Sequence, residues 1–522
     1  MSKKISRRTF VATTSALTLA SAMGGAAEEK AGPGSQPNIL IIHADQHRMD
    51  CLGAYGNAEI HTPNMDALAK DGVLFGNSFC PYPVCTPSRY SLLSGLYVHE
   101  HRGWTNHSTL PPGTETIPGI LKEAGYKTKA IGKMHFTPTY LDLGFEELVL
   151  AEQNGPGRWD DDYHRVLRDQ GLVDLNDLED QEKEYRKDAR PEYWETFGAL
   201  ASNLPEAYHS TRWIGDRAVE TLDAWGSSGQ MLMVGFIKPH HPFDPSKRFC
   251  DGYDPESLTM LPGWTEQCLP EDQALGKGYF NNADLTPARL RRVMAYYYAA
   301  IQQIDEEAGR MIDALRRKGL YDNTLIVYTA DHGEYMGCHH MLLKGNYMYD
   351  PLMKVPLIIK YPAGRERGTA SDALVNNIDL APTILRRAGC RVGSKMRGRD
   401  LAKDREGPPV VFSESHEGAM AMARTKTRKL ISFPEKKKTF LYDLEKDPGE
   451  MVNRYDDPAY RKDAEELAKA LDEWRSFDNL SRTYLDENAP VIDQPNVPSR
   501  KDKHREAMQA YCREKTTELL KK

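Results

Sequence analysis

Asn38-Ile39-Leu40-Ile41-Ile42-His43-Ala44-Asp45-Gln46 is a short apolar run, rich in β-branched residues, that stops on polar side chains. Two later runs repeat the pattern. Met231-Leu232-Met233-Val234-Gly235-Phe236-Ile237 leads into Lys238-Pro239-His240, and Leu325-Ile326-Val327-Tyr328 leads into Asp331-His332-Gly333-Glu334. Continuous apolar runs of this length, separated by helical stretches, indicate strands buried on both faces and therefore a mostly parallel sheet. In open α/β sheets the ligand site lies beyond the carboxyl ends of the strands. Three distant parts of the chain are thus expected to deliver polar residues to one sheet edge.

Helical patterns lie between these runs. The clearest begins at Thr286-Pro287, an N-cap with a first-turn proline, and continues to about Lys318 before Gly319. Leu290, Val293, Met294, Tyr297, Ile301, Ile304, Met311 and Leu315 recur in it at helical spacing, which assigns its tyrosines to the core. The stretch 158–190 is rich in charge and reads as exposed, solvated helices, with a border to a substrate cleft as the alternative. After about Asp404 the pattern changes to four short runs, around 410–412, 420–423, 429–433 and 439–443, expected to form an antiparallel sheet. A helix is expected from about Pro458 to Phe477, and an extended surface tail over 484–505. The expected fold is α/β: a large, mixed, mostly parallel sheet flanked by helices (36–404), plus a smaller C-terminal α+β subdomain with a short antiparallel sheet (405–522).

Composition narrows the class. The 522 residues are 40% hydrophobic and 27% charged, as in a globular protein, and the net charge of −7 speaks against sequence-independent nucleic-acid binding. Any anionic ligand must be drawn by a local cluster of cations. At the N-terminus, Lys3, Lys4 and Arg7-Arg8 precede an apolar stretch to about Met23 and then Gly25-Ala26-Ala27. That order reads as a twin-arginine signal peptide over 1–27, implying the export machinery as partner and a periplasmic or secreted protein. The apolar stretch is short for a membrane span, and none is expected later. The eight cysteines include no Cys-x-x-Cys pair, which argues against a zinc cluster. Setting Cys85 aside leaves an odd number, so at least one other thiol is free or pairs between chains; a Cys51–Cys80 bridge stays open.

Cys85-Thr86-Pro87-Ser88-Arg89-Tyr90-Ser91-Leu92-Leu93-Ser94-Gly95 carries the chemistry. Pro87 suits the first position of a helix, Leu92 and Leu93 give it a buried side, and Gly95 stops it. A sulfur at a helix N-terminus, with Arg89 about one turn on, sits in a field that favours anions. Those residues alone say no more than nucleophile or anion site.

The run resembles the sulfatase signature, which opens Cys-x-Pro-Ser-Arg. The segments His61 to Phe75, Asn377 to Leu385 and Leu441 to Glu450 are similar to other parts of that family, so the likeness covers nearly all of the mature chain. In sulfatases, members of the alkaline-phosphatase-like superfamily, a formylglycine-generating enzyme oxidises the signature cysteine to formylglycine. The resemblance makes residue 85 the nucleophile and names Asp45, Gln46, Asp331 and His332, with residue 85, as ligands of a metal. Calcium is favoured over magnesium because it tolerates irregular, water-poor oxygen sites. Gln46 and His332 stand where a family variant has Asp and Asn.

Gly132-Lys133-Met134-His135-Phe136 resembles the family's Gly-Lys-x-His segment, and Lys344 its late active-site lysine. With Arg89 these cations are expected to bind the ester. The implied mechanism has the hydrated aldehyde attack sulfur, His240 protonate the departing alcohol, and His135 deprotonate the second hydroxyl so that sulfate leaves. The family's Pro-His-x-Pro pattern selects His240 over His241. Lys238 is a possible substrate contact, and His101, Asn106, His339 and His340 either line the pocket or serve structure. The expected activity is hydrolysis of a sulfate monoester on a small molecule or, by preference, a saccharide. The rival readings are a phosphonate monoester or phosphodiester hydrolase of the same superfamily and a catalytically silent protein that binds sulfated glycans.

Overall fold

A computed structural model describes residues 36–273, 280–345, 347–475 and 502–521. The expected signal peptide over 1–27 lies outside the described residues. Eight strands form the main sheet: β1 (Asn38–Ala44), β2 (Val73–Phe79), β3 (Lys127–Gly132), β4 (Glu147–Leu150), β5 (Gln230–Gly235), β6 (Thr324–Ala330), β7 (Leu357–Lys360) and β8 (Thr369–Asn376). Their order is β4-β3-β5-β1-β6-β7-β2-β8. Only β7 runs against its neighbours. The expected mixed, mostly parallel sheet is what forms.

The three apolar runs are its central strands because each faces two cores. On one face Leu40, Ile42, Leu232, Val234, Ile326 and Tyr328 pack into the larger apolar cluster. On the other, Ile39, Ile41, Met231, Met233, Leu325 and Val327 join the smaller one. The helix Pro287–Arg317 covers the first face; Thr286 Oγ1 accepts from Arg289 N at 3.3 Å at its start. Helix Ser210–Ala224 lies against it so closely that a Cβ on Gly215 would meet Glu307 Oε2 at 1.9 Å.

Residues 158–190 overturn the exposed-surface reading. Arg158, Asp160, Asp161, Asp174, Asp177, Glu179 and Asp180 are buried. They are buried as partners: Arg158 pairs with Asp177, Arg190 Nη2 lies 2.7 Å from Glu179 Oε2, and Tyr193 donates to Asp180 at 2.7 Å. Buried charge is tolerated when it is paired and hydrogen-bonded, a condition that residue types alone do not reveal.

A second sheet, antiparallel in the order β12-β11-β10-β9, comprises β9 (Val411–Ser415), β10 (Met420–Arg424), β11 (Arg428–Phe433) and β12 (Lys438–Asp443). Helix Arg461–Trp474 covers one face, with Leu467 and Leu471 against Ala421, Ala423, Leu430 and Leu441. The expected tail is corrected at its end: the chain is helical over Asp502–Leu519, while 484–501 lie outside the described residues. All eight cysteines are free thiols, so Cys51 and Cys80 are not bridged. No described helix is long and apolar enough to cross a membrane.

Candidate active site

Strands β3, β5, β1 and β6 are consecutive and parallel, and their ends are in register: Gly132 pairs with Gly235, Gly235 with His43, and Ala44 with Ala330. Lys133, Asp45 and Asp331 therefore leave one sheet edge side by side, with the turn to His240 beside them. The fit is tight, since a Cβ on Gly235 would lie 2.2 Å from the Lys133 carbonyl oxygen.

Cys85 heads the helix Cys85–Ser94, two residues earlier than Pro87 suggested, after an extended Val84. Its Sγ lies 3.6 Å from Asp45 Oδ1, 3.4 Å from His332 Nε2 and 3.3 Å from Lys344 Nζ. One turn on, Arg89 bridges the two carboxylates, with Nη2 2.9 Å from Asp45 Oδ2 and Nε 3.1 Å from Asp331 Oδ2. Lys133 Nζ is 2.9 Å from Asp45 Oδ2 and donates to Gln153 Oε1 at 3.0 Å. Burial pushes the Asp45 carboxyl up, but the cations around it, Lys133 foremost and then Arg89 and Lys344, outweigh it and hold Asp45 well below the usual carboxylate range. Three cations against two carboxylates leave this dry pocket positive, so it favours an anion.

The donor set also fits a metal ion. Ligand atoms of Asp45, Cys85, Asp331 and His332 all lie within 4.8 Å of one another. His332 Nδ1 is 2.9 Å from the Gly333 carbonyl, which places its proton there and leaves the Nε2 lone pair facing the cluster. Gln46 adopts φ 61°. Its backbone N–H donates to Asp331 Oδ1 at 3.0 Å, its Nε2 donates to Glu334, and its Oε1 accepts from Lys344 Nζ at 2.9 Å. Tyr297 donates to the Gln46 carbonyl at 2.6 Å, so this core tyrosine of the long helix also braces the site.

The two candidate acids separate. His240 and His241 stack with centroids 4.2 Å apart. His241 Nδ1 is 2.5 Å from Asp180 Oδ2. Burial pushes Asp180 up, yet His241, Tyr193 and Arg186 hold it below its ordinary value. His240 Nδ1 donates to the His241 carbonyl at 2.7 Å, leaving Nε2 without a hydrogen bond among the described residues. Burial, then Lys344, holds His240 well below the usual imidazole range. His135, at φ 56°, donates from its backbone N–H to Glu152 Oε1 at 3.0 Å. Its Nδ1 is buried without a partner, and burial with Lys133 beside it lowers the imidazole to about 3.

Other candidates turn away. Lys238 pairs with buried Asp244 and donates to the Pro242 carbonyl at 2.8 Å, which corrects its reading as a substrate contact. His101 ties its helix to Ser91 Oγ at 2.8 Å, while His339 bonds Asp272 at 3.1 Å and His340 the Thr265 and Asn282 carbonyls at 2.8 Å, contacts that serve structure. Asn106 accepts from Thr86 N at 3.1 Å and lines a cleft shared with His135. Glu334, Gln153 and Asp180 support the site although the sequence reading gave none of them a role. Only Glu334 had a visible signal, its place beside Asp331 and His332.

The family model described as Sulfatase matches residues 37–390. The chain belongs to the sulfatase family. These are sulfuric ester hydrolases, generally metal-dependent and built around a cysteine-derived formylglycine. A second model, described as N-sulphoglucosamine sulphohydrolase, C-terminal, matches residues 337–476 of this sulfatase. Among curated relatives, an arylsulfatase of Clostridium perfringens is 30% identical, covering 88% of this chain and 98% of its own. An N-acetylglucosamine-6-O-sulfatase of Bacteroides thetaiotaomicron is 28% identical, covering 89% and 90%. Among solved structures, a phosphonate monoester hydrolase of Agrobacterium radiobacter superposes with a TM-score of 0.71 at 25% identity, covering 84% of this chain and 95% of that one.

Proposed function

We propose that this sulfatase hydrolyses a sulfate monoester on a carbohydrate, with residue 85 as nucleophile after oxidation of Cys85 to formylglycine. The observation that carries the reading is the convergence of Cys85 Sγ with Asp45, His332 and Lys344 within 3.6 Å, in a buried pocket with surplus positive charge. The carbohydrate assignment draws on the relative named for N-acetylglucosamine-6-sulfate hydrolysis and on the polar cleft beside His135. As formylglycine, residue 85 supplies an aldehyde whose hydrate offers one oxygen to take up the sulfuryl group and a second to expel it.

Arg89, Lys133 and Lys344 bind the sulfate oxygens and compensate charge as the ester bond breaks. Asp45, Gln46, Asp331 and His332 would hold a divalent cation, assigned as calcium, which adds positive charge beside residue 85. His240 presents Nε2 toward the leaving alcohol. It is neutral in the resting pocket and takes up its proton as the anionic ester arrives, since a nearby negative charge raises an imidazole pKa. His135, kept neutral by burial, serves as base when sulfate is released. A formylglycine-generating enzyme acts on Cys85 before twin-arginine export, which places the enzyme in the periplasm or outside the cell.

Rates on an aryl sulfate, a panel of sulfated saccharides, an aryl phosphonate and an aryl phosphodiester test the reading; sulfate esters are expected to be preferred. The phosphonate hydrolase neighbour favours one alternative, and a higher kcat/KM on the phosphonate or diester would establish it. Chelator dialysis followed by calcium or magnesium tests the ion, and greater recovery with magnesium contradicts calcium.

A further inference from the structure

Helix Asp502–Leu519 lies beyond both family matches, which end at residues 390 and 476. It is nonetheless fastened to the catalytic part of the chain. Met508 and Cys512 pack with Trp159, Val173 and Leu178. Tyr511 donates to the Leu172 carbonyl at 2.8 Å. Arg505 Nε and Nη2 reach Asp160 Oδ2 at 3.2 and 3.0 Å. Arg505 and Gln509, one helical turn apart and so on one face, are thereby brought to the wall of the cleft that holds His135.

That cleft encloses about 500 Å³, within the usual range for a small-ligand site. It adjoins the reaction centre: Gln181 lines it and donates to the His241 carbonyl at 3.2 Å. Glu182 and His135 line it, and each has one buried polar atom behind that wall, Oε1 and Nδ1, without a hydrogen-bond partner among the described residues. A buried polar atom costs free energy unless a ligand or water satisfies it. The wall mixes charges, with Glu152, Glu182 and Glu184 against Lys183 and an Arg505 already paired with Asp160, so the acids outweigh the cations left over and favour hydroxyl groups over a second sulfate. Among the described residues Arg505 Nη1 and the Gln509 amide make no hydrogen bond, which leaves them for such a ligand.

We propose that Arg505 and Gln509 are specificity determinants that bind uncharged hydroxyls of the sugar next to the sulfated one. The inference rests on the carbohydrate-sulfatase reading and adds to it a subsite built by a helix outside the family matches.

The test compares sulfated disaccharides with their sulfated monosaccharide units, alongside 4-nitrophenyl sulfate. The wild-type enzyme should favour a disaccharide over its monosaccharide. Arg505→Gln and Gln509→Ala should each lower that ratio of kcat/KM, by about tenfold for Arg505→Gln and a few-fold for Gln509→Ala, mainly through KM. Glu514→Ala, an exposed control on the same helix, should leave the ratio unchanged. Arg505→Gln also breaks the Asp160 pair and could loosen the helix; Gln509, which makes no hydrogen bond to the described residues, keeps the test free of that effect. No disaccharide preference in the wild type, or an unchanged ratio in Gln509→Ala at unaltered melting temperature, overturns the inference while the sulfatase reading stands. An enzyme that turns over 4-nitrophenyl sulfate but no sulfated saccharide overturns the carbohydrate reading, and the subsite with it.

Discussion

Cys85 owes its setting to side chains that arrive from elsewhere: Asp45 and Asp331 from two strand ends, Lys344 from a later loop, and Arg89 from the next turn of its own helix. Each is held by a further neighbour, and some of those neighbours are the residues least visible in the sequence. Asp180 is the clearest. It orients His241, whose ring stacks on His240 and whose carbonyl accepts from His240 Nδ1. Asp180→Asn should cost about 1–2 kcal/mol of positioning, roughly tenfold in kcat/KM, with little change in melting temperature. A matching loss in the pH-independent rate of both variants, Asp180→Asn and His241→Gln, would support the chain of contacts; wild-type kcat/KM in Asp180→Asn would refute it.

Elements whose environment is uniform were readable, and those whose environment is made by pairing were not. β1, β5 and β6 stood out because both of their faces are apolar, and the helix Pro287–Arg317 because it carries a cap, a first-turn proline and a regular apolar stripe. The site edge followed from where those strands end. Helices within 158–190 were misread because Arg158, Asp177, Asp180 and Glu179 meet their partners only in three dimensions. The separate roles of His240 and His241 were equally hidden, since Asp180 lies in that stretch. Gly235 shows how the elements constrain the site. An added Cβ would meet the Lys133 carbonyl at 2.2 Å, a backbone atom that cannot swing aside, so the ends of β3 and β5 must part. Gly235→Ala should therefore fold yet lose at least about tenfold in kcat/KM, as a roughly 1 Å displacement at an active site can cost more than that. Full activity in folded Gly235→Ala would show that this junction has slack.

On the scale of the whole molecule, the helices that cover the main sheet carry buried acids away from the site. Burial pushes the Glu307 carboxyl up to about 7, although Arg310 and Arg212 oppose the shift. The folded chain then holds a proton that the unfolded chain releases, so this group's contribution to stability is complete below about pH 4.5, declines as pH rises to about 7, and is flat above. Glu307→Gln should flatten that part of the stability profile. Urea midpoints at the two ends of the window provide the check, and an unchanged difference between them in the variant contradicts the assignment.

The nucleophile itself decides the rest. Peptide mass analysis of purified, active enzyme should find residue 85 lighter by the exchange of a CH2–SH side chain for CHO, in a proportion that tracks specific activity across preparations, and Cys85→Ala should fold but turn over nothing. Fully active protein in which residue 85 is an intact cysteine would contradict the central claim.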